Sequence, residues 1–210
     1  MAIIENGVLG GFSGKVGTVI GARVRGQDTI RSRPPRTRTN KSPKQLIQQA
    51  RFGLAVEFVR HFAGLFEITY KQRAGITTPR NEAVRDIVSD ALIGNYPDIQ
   101  IDYSKVLISS GSLIAAPATV AVAAGKITWT WVPNTGFNDA QANDQAVIAV
   151  YCPEKKQALY RINASTRADG TATLDVQPFV GLTVVTYLAF TSLNQSKMSD
   201  SVFTGQILVS

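Results

Sequence analysis

Histidine and cysteine, the side chains that most often carry acid–base, nucleophilic or metal chemistry near neutral pH, each occur once in this chain, as His61 and Cys152. A His-based triad needs a nucleophile and an orienting acid around His61, and no G-x-S-x-G nucleophile elbow is present. One cysteine makes no internal disulfide and no zinc or iron–sulfur ligand cluster. Acidic residues in the C-terminal half are sparse and scattered, so spacing picks out neither a two-metal site nor a glycosidase pair. Gly11-Phe-Ser-Gly-Lys15 matches the end of a phosphate loop only superficially, because Val16 stands where a Ser or Thr would bind magnesium. Asn40, Asn163 and Asn194 open Asn-x-Ser triplets, which carry little meaning without a secretory signal. The expectation is a non-enzymatic protein with no cofactor, no metal and no small-molecule substrate.

Binding chemistry is better represented. The formal net charge is +7, and residues 1–45 account for it, with nine Lys or Arg against Glu5 and Asp28. Residues 46–90 carry +1 and residues 91–210 carry −1. Such asymmetry points to an acidic partner for the basic end: a nucleic-acid backbone, an anionic membrane face or an acidic protein surface. Arg31, Arg33, Arg36, Arg38, Lys41 and Lys44 are the candidate anion-binding residues. No aromatic residue lies between Gln27 and Leu46, so base stacking has no platform there. The same segment holds five glycines between Gly7 and Ile20, a density that disfavours helix but lets an extended chain approach another backbone. Val8, Leu9, Phe12, Val16, Val19 and Ile20 are then the side chains to fill pockets on a neighbouring subunit by strand addition.

These residues need elements to position them. Residues 1–41 read as a basic Gly/Pro-rich arm with short β-capable runs at Thr18–Ile20 and Thr29–Ile30, a turn over Arg25–Asp28, and an extended Arg31–Lys41 stretch. Residues 42–98 read as helical. Ser42, Pro43 and Gln45 form a helix start, and Ile47, Leu54, Phe58, Phe62 and Leu65 form a stripe over about Pro43–Phe66, with a break expected near Gly53 or Gly64. A second helix runs from Thr78-Pro79 towards Gly94, with Ala83, Val84, Ile87, Val88, Ala91 and Leu92 facing the core. Phe52, Phe58, Phe62 and Phe66 supply the bulk. From residue 99 the period becomes two, and eight strands are expected, at Ile101–Ser109, Thr119–Ala123, Lys126–Val132, Ala146–Cys152, Ala158–Ile162, Thr171–Val176, Leu182–Ser192 and Ser201–Leu208. Trp129 and Trp131 share one strand face and read as core. The fold class is thus α+β: a basic extended arm, two amphipathic helices and a C-terminal antiparallel β-sandwich over residues 99–210, immunoglobulin- or fibronectin-like. No run is long enough to span a membrane, and Met1–Ile20 lacks the pattern of a signal peptide, so a virion or cytoplasmic location is expected.

The run from Gly7 to Gly21, continued by Arg31-Ser-Arg-Pro34 and Ser42-Pro-Lys-Gln-Leu-Ile-Gln-Gln-Ala-Arg-Phe52, resembles a family of uncharacterised proteins from Bacteroidetes-type bacteria and their mobile elements. Thr128-Trp129-Thr-Trp131, Thr186-Tyr187-Leu-Ala-Phe190 and Ser199-Asp-Ser201 extend that resemblance over most of the chain. No activity comes with it. The glycine-rich start, the R-x-R-P segment and the helix after it also look like virion structural proteins of tailed phages. That likeness implies a self-assembling structural component, with copies of itself and other structural proteins as partners. Nucleic-acid binding through the basic arm and adhesion or glycan binding by the sandwich are the alternatives.

Overall fold

A computed structural model describes Ile3–Ile4 and residues 11–24, 26–33 and 41–210. Its contacts form two units, Met1–Ser42 and Pro43–Ser210.

The first unit is an antiparallel meander, β1 (Ile3–Ile4), β2 (Phe12–Val16), β3 (Val19–Val24) and β4 (Gln27–Ser32), in that spatial order. Gly17 and Thr18 close the β2–β3 hairpin, with Gly17 at φ +56°, where a side chain would be strained. A second short turn, which includes Gly26 at φ +81°, joins β3 to β4. The strands are therefore longer than composition suggests. Gln27 and Asp28 lie in β4 rather than in a turn, and the glycine-containing Phe12–Val16 is a strand. Short hairpin loops give each strand a ladder partner, and paired backbone groups outweigh the poor strand propensity of glycine.

In the second unit α1 (Pro43–His61) passes Gly53 without a break and ends at His61, and α2 (Ala63–Thr69) follows after the single residue Phe62. The first expected helix is thus two. α3 (Pro79–Asp90) starts as the sequence implies, with the Asn81 N–H donating to the Thr78 hydroxyl at 3.3 Å. Beyond a small hairpin of β5 (Leu92–Ile93) and β6 (Gln100–Ile101), seven strands complete the unit: β7 (Ala118–Ala123), β8 (Lys126–Trp131), β9 (Gln145–Cys152), β10 (Gln157–Arg161), β11 (Thr171–Asp175), β12 (Thr183–Thr191) and β13 (Val202–Leu208). The expected strand over Ile101–Ser109 is not one. It stops at Ile101 because Asp102 accepts the Ser104 N–H at 3.1 Å and caps a 3₁₀ turn over Tyr103–Lys105. Chain further on is held by single bonds, such as Ser109 Oγ donating to the Ser199 carbonyl at 2.7 Å.

Two antiparallel sheets result, ordered β10-β9-β12-β13 and β11-β8-β7. The pleat of β9 and β12 decides the layering. Val147, Ala149, Tyr151, Val185, Tyr187 and Ala189 point to the helices and join Phe58, Phe62, Phe66 and Ile87 in one core. Ala146, Ile148, Val150, Cys152, Val184, Leu188 and Phe190 point the other way and meet Ile127, Trp129 and Trp131 of the second sheet. The central sheet is covered on both faces, so helices and strands share one unit.

Candidate interaction surfaces

The register of the meander fixes which side chains share a face. Gly14 opposes Gly21, Val16 opposes Val19, and Gly21 opposes Ile30. By strand alternation Phe12, Val16, Val19 and Ile30 lie on one face, together with Arg23 and Asp28, whose charged groups approach to 3.9 Å. The Phe12 ring occupies the place where a Cβ on Gly21 would stand, so only glycine admits it. Glycine at 21 thus trades a side chain for close aromatic cover. Among the described residues of this unit only Gly21 is buried, and Val16 and Ile30 are 53% and 68% exposed. The ladder pairs the backbone, but among the described residues of the unit no apolar side chain is buried.

The opposite face carries Ser13, Lys15, Ile20, Ala22, Val24, Gln27, Thr29 and Arg31. Arg33, whose N–H donates to the Thr18 carbonyl at 2.7 Å, continues that alternation one residue beyond β4. Of the docking residues expected from sequence, Phe12, Val16 and Val19 are brought together, and Ile20 is set on the other face with the cations. Val8 and Leu9 lie outside the described residues, as do Arg36 and Arg38. Arg31 and Arg33 are exposed on one face. Lys41 is exposed just before α1, and Lys44 is exposed in the first turn of that helix. Sequence reasoning missed Ile30 and Lys15, which only the hairpin register assigns to these faces.

The second unit has a cavity of about 280 Å³ between α1 and the β9–β10 turn, lined by Leu54, Phe58, Tyr103 and Tyr151, with Ile101 on one side and Pro153 on another. Lys156 Nζ donates to Glu57 at 2.7 Å on its wall and holds that carboxyl below the usual carboxylate range. Burial pushes the Tyr103 and Tyr151 phenols up, so both are neutral hydroxyls at physiological pH. His61 sits 5.9 Å from the Tyr151 ring, and its buried Nε2 has no hydrogen-bond partner. Burial, with Arg60 next to it, pushes His61 down and keeps it neutral. The cavity has the chemistry of an apolar slot with one ion pair. Trp129 and Trp131 are buried in the core between the two sheets, Tyr187 is buried towards the helices, and none of the three presents a platform for a glycan. Among the described residues no cluster of His, Cys, Asp or Glu suits a metal, and no helix is long and apolar enough to cross a membrane.

Three helices on one face of an antiparallel sheet, with a second antiparallel sheet on its other face, define an α+β protein built mostly of strands. The chain belongs to the DUF6266 family, a family of unknown function, whose model matches residues 11–205. The match begins in the meander and runs into β13, so both units fall within the family's domain. A comparison with curated proteins returns no match.

Proposed function

We propose that the chain is a structural assembly protein, a component of a virion or phage-derived particle, whose N-terminal sheet docks on neighbouring subunits. The observation that carries this reading is one sheet face on which Val16 and Ile30 are exposed beside half-buried Phe12 and Val19, in a unit where no described apolar side chain is buried. Fully burying a Val or Ile side chain is worth about 1.5–3 kcal/mol, so the sheet gains most of its stability from whatever covers it. A second copy of this chain is the partner, in a homo-oligomer, and the phage-like N-terminal motifs favour a particle of bacterial mobile-element origin. The body reads as a fibronectin-like sandwich with helices added to one face. In chain order its first, second and fifth strands share one sheet and its third, fourth, sixth and seventh share the other. That differs from the immunoglobulin constant arrangement only in the fourth strand, which here pairs with the third.

Sedimentation at rising protein concentration tests the reading. The intact chain should associate, and the triple variant Val16→Thr, Val19→Thr, Ile30→Thr should associate roughly a hundredfold or more weakly, with unchanged thermal unfolding of the body. An intact chain that stays monomeric throughout, or a variant that associates equally well, would remove the proposal.

A further inference from the structure

The two faces of the N-terminal sheet differ in kind, and the second is unused by docking. Lys15 opposes Ile20, which opposes Arg31, so the two cations flank Ile20 across three strands, with Cα atoms about 10 Å apart. Arg33 lies two residues along from Arg31, about 6.7 Å away on the same face. All three are exposed, whereas Ile20 between Lys15 and Arg31 is half-buried, as expected where long cationic stems cover an apolar neighbour. Ser13 and Thr29 occupy the next row, where the Thr29 hydroxyl donates to the Ala22 carbonyl at 2.8 Å, and among the described residues no carboxylate is on this face, because Asp28 points the other way. We infer that this face binds a nucleic-acid phosphate backbone while the apolar face is docked on protein. A sheet face bearing three cations and the Ser13 hydroxyl, with no aromatic or acidic side chain among its described residues, matches phosphate positioning and offers nothing that reads bases. The inference rests on the proposed docking only in that the apolar face is the covered one.

Fluorescence anisotropy with a short mixed-sequence DNA duplex, titrated between roughly 50 and 200 mM salt, tests it. Three phosphate contacts contribute a slope of about −2.7 in log K against log salt. The variant Lys15→Thr, Arg31→Thr, Arg33→Thr keeps β-branched residues in the strands and should lose that share of the slope. Arg23→Thr removes one charge from the apolar face and should leave the slope unchanged. Sedimentation of the triple variant should match the intact chain, which separates this inference from the docking proposal. The inference is overturned if the intact chain does not bind, or if Arg23→Thr costs as much slope as Arg31→Thr. It is also overturned if the triple variant no longer associates, or if anionic vesicles or polyglutamate bind as tightly as the duplex.

Discussion

Arg167 is fully buried, and its environment shows how much a single side chain can organise. Its Nε donates to Asp144 at 3.1 Å, one terminal nitrogen to Asn134 at 2.6 Å and the other to the Ile114 carbonyl at 2.9 Å. The guanidinium lies 4.0 Å from the centre of the Phe190 ring, and the Trp131 indole donates to the Arg167 carbonyl at 2.9 Å. Burial lowers the Arg167 pKa, and Asp144 opposes that shift. One cation therefore ties together loops before β7, after β8 and before β9. Arg167→Met should destabilise the chain by about 3–5 kcal/mol, since it strands the buried Asp144 carboxylate. Denaturant unfolding would measure it, and a loss below about 1 kcal/mol would show that the network carries little. Nothing in the sequence distinguished Arg167 from other basic residues. Its hydrogen-bond partners come from positions 23 to 53 residues away, and only the folded chain assembles them.

At the scale of elements, most of the strands were legible because hairpin turns punctuate them and because Ile127, Trp129 and Trp131 alternate with threonines. β7 to β13 lie within a residue or two of their expected bounds. The strands β9 and β12 lack such alternation because both their faces are buried, which hid the layer of helices on one side. The aromatic stripe of α1 was only partly read. Phe58 and Phe62 are in the core, with ring centroids 5.4 Å apart, but Phe52 is 58% exposed and belongs to no cluster. The early turns of α1 carry exposed residues, and burial begins at Ala55. A helical period shows that a face is apolar but not where along the helix its cover begins. Phe62→Ala should therefore cost about 3–5 kcal/mol. Phe52→Ala should change stability by less than about 0.5 kcal/mol in the same unfolding assay. Equal costs would place α1 differently on the sheet.

The whole molecule pairs a body that has two cores with a meander in which no described apolar side chain is buried. Charge asymmetry made that division visible in sequence, with all of the net charge in residues 1–45. The sorting of the arm into an apolar and a cationic face was not visible, because it depends on short hairpin turns that fix the register. Three strands of five or six residues present a face of about 15 by 18 Å, a few hundred Å², against about 800 Å² per partner in a standard interface. One such contact is weak, and in the proposed particle its strength comes from repetition around a closed assembly. Order in the sheet and association of subunits are then one equilibrium.

Amide hydrogen exchange over residues 12–32, at concentrations below and above the onset of association, measures that coupling directly. The account expects these amides to exchange almost freely in the monomer while β9 and β12 stay protected, and to become protected on association. Protection of residues 12–32 in the monomer equal to that of β9 and β12 would contradict it.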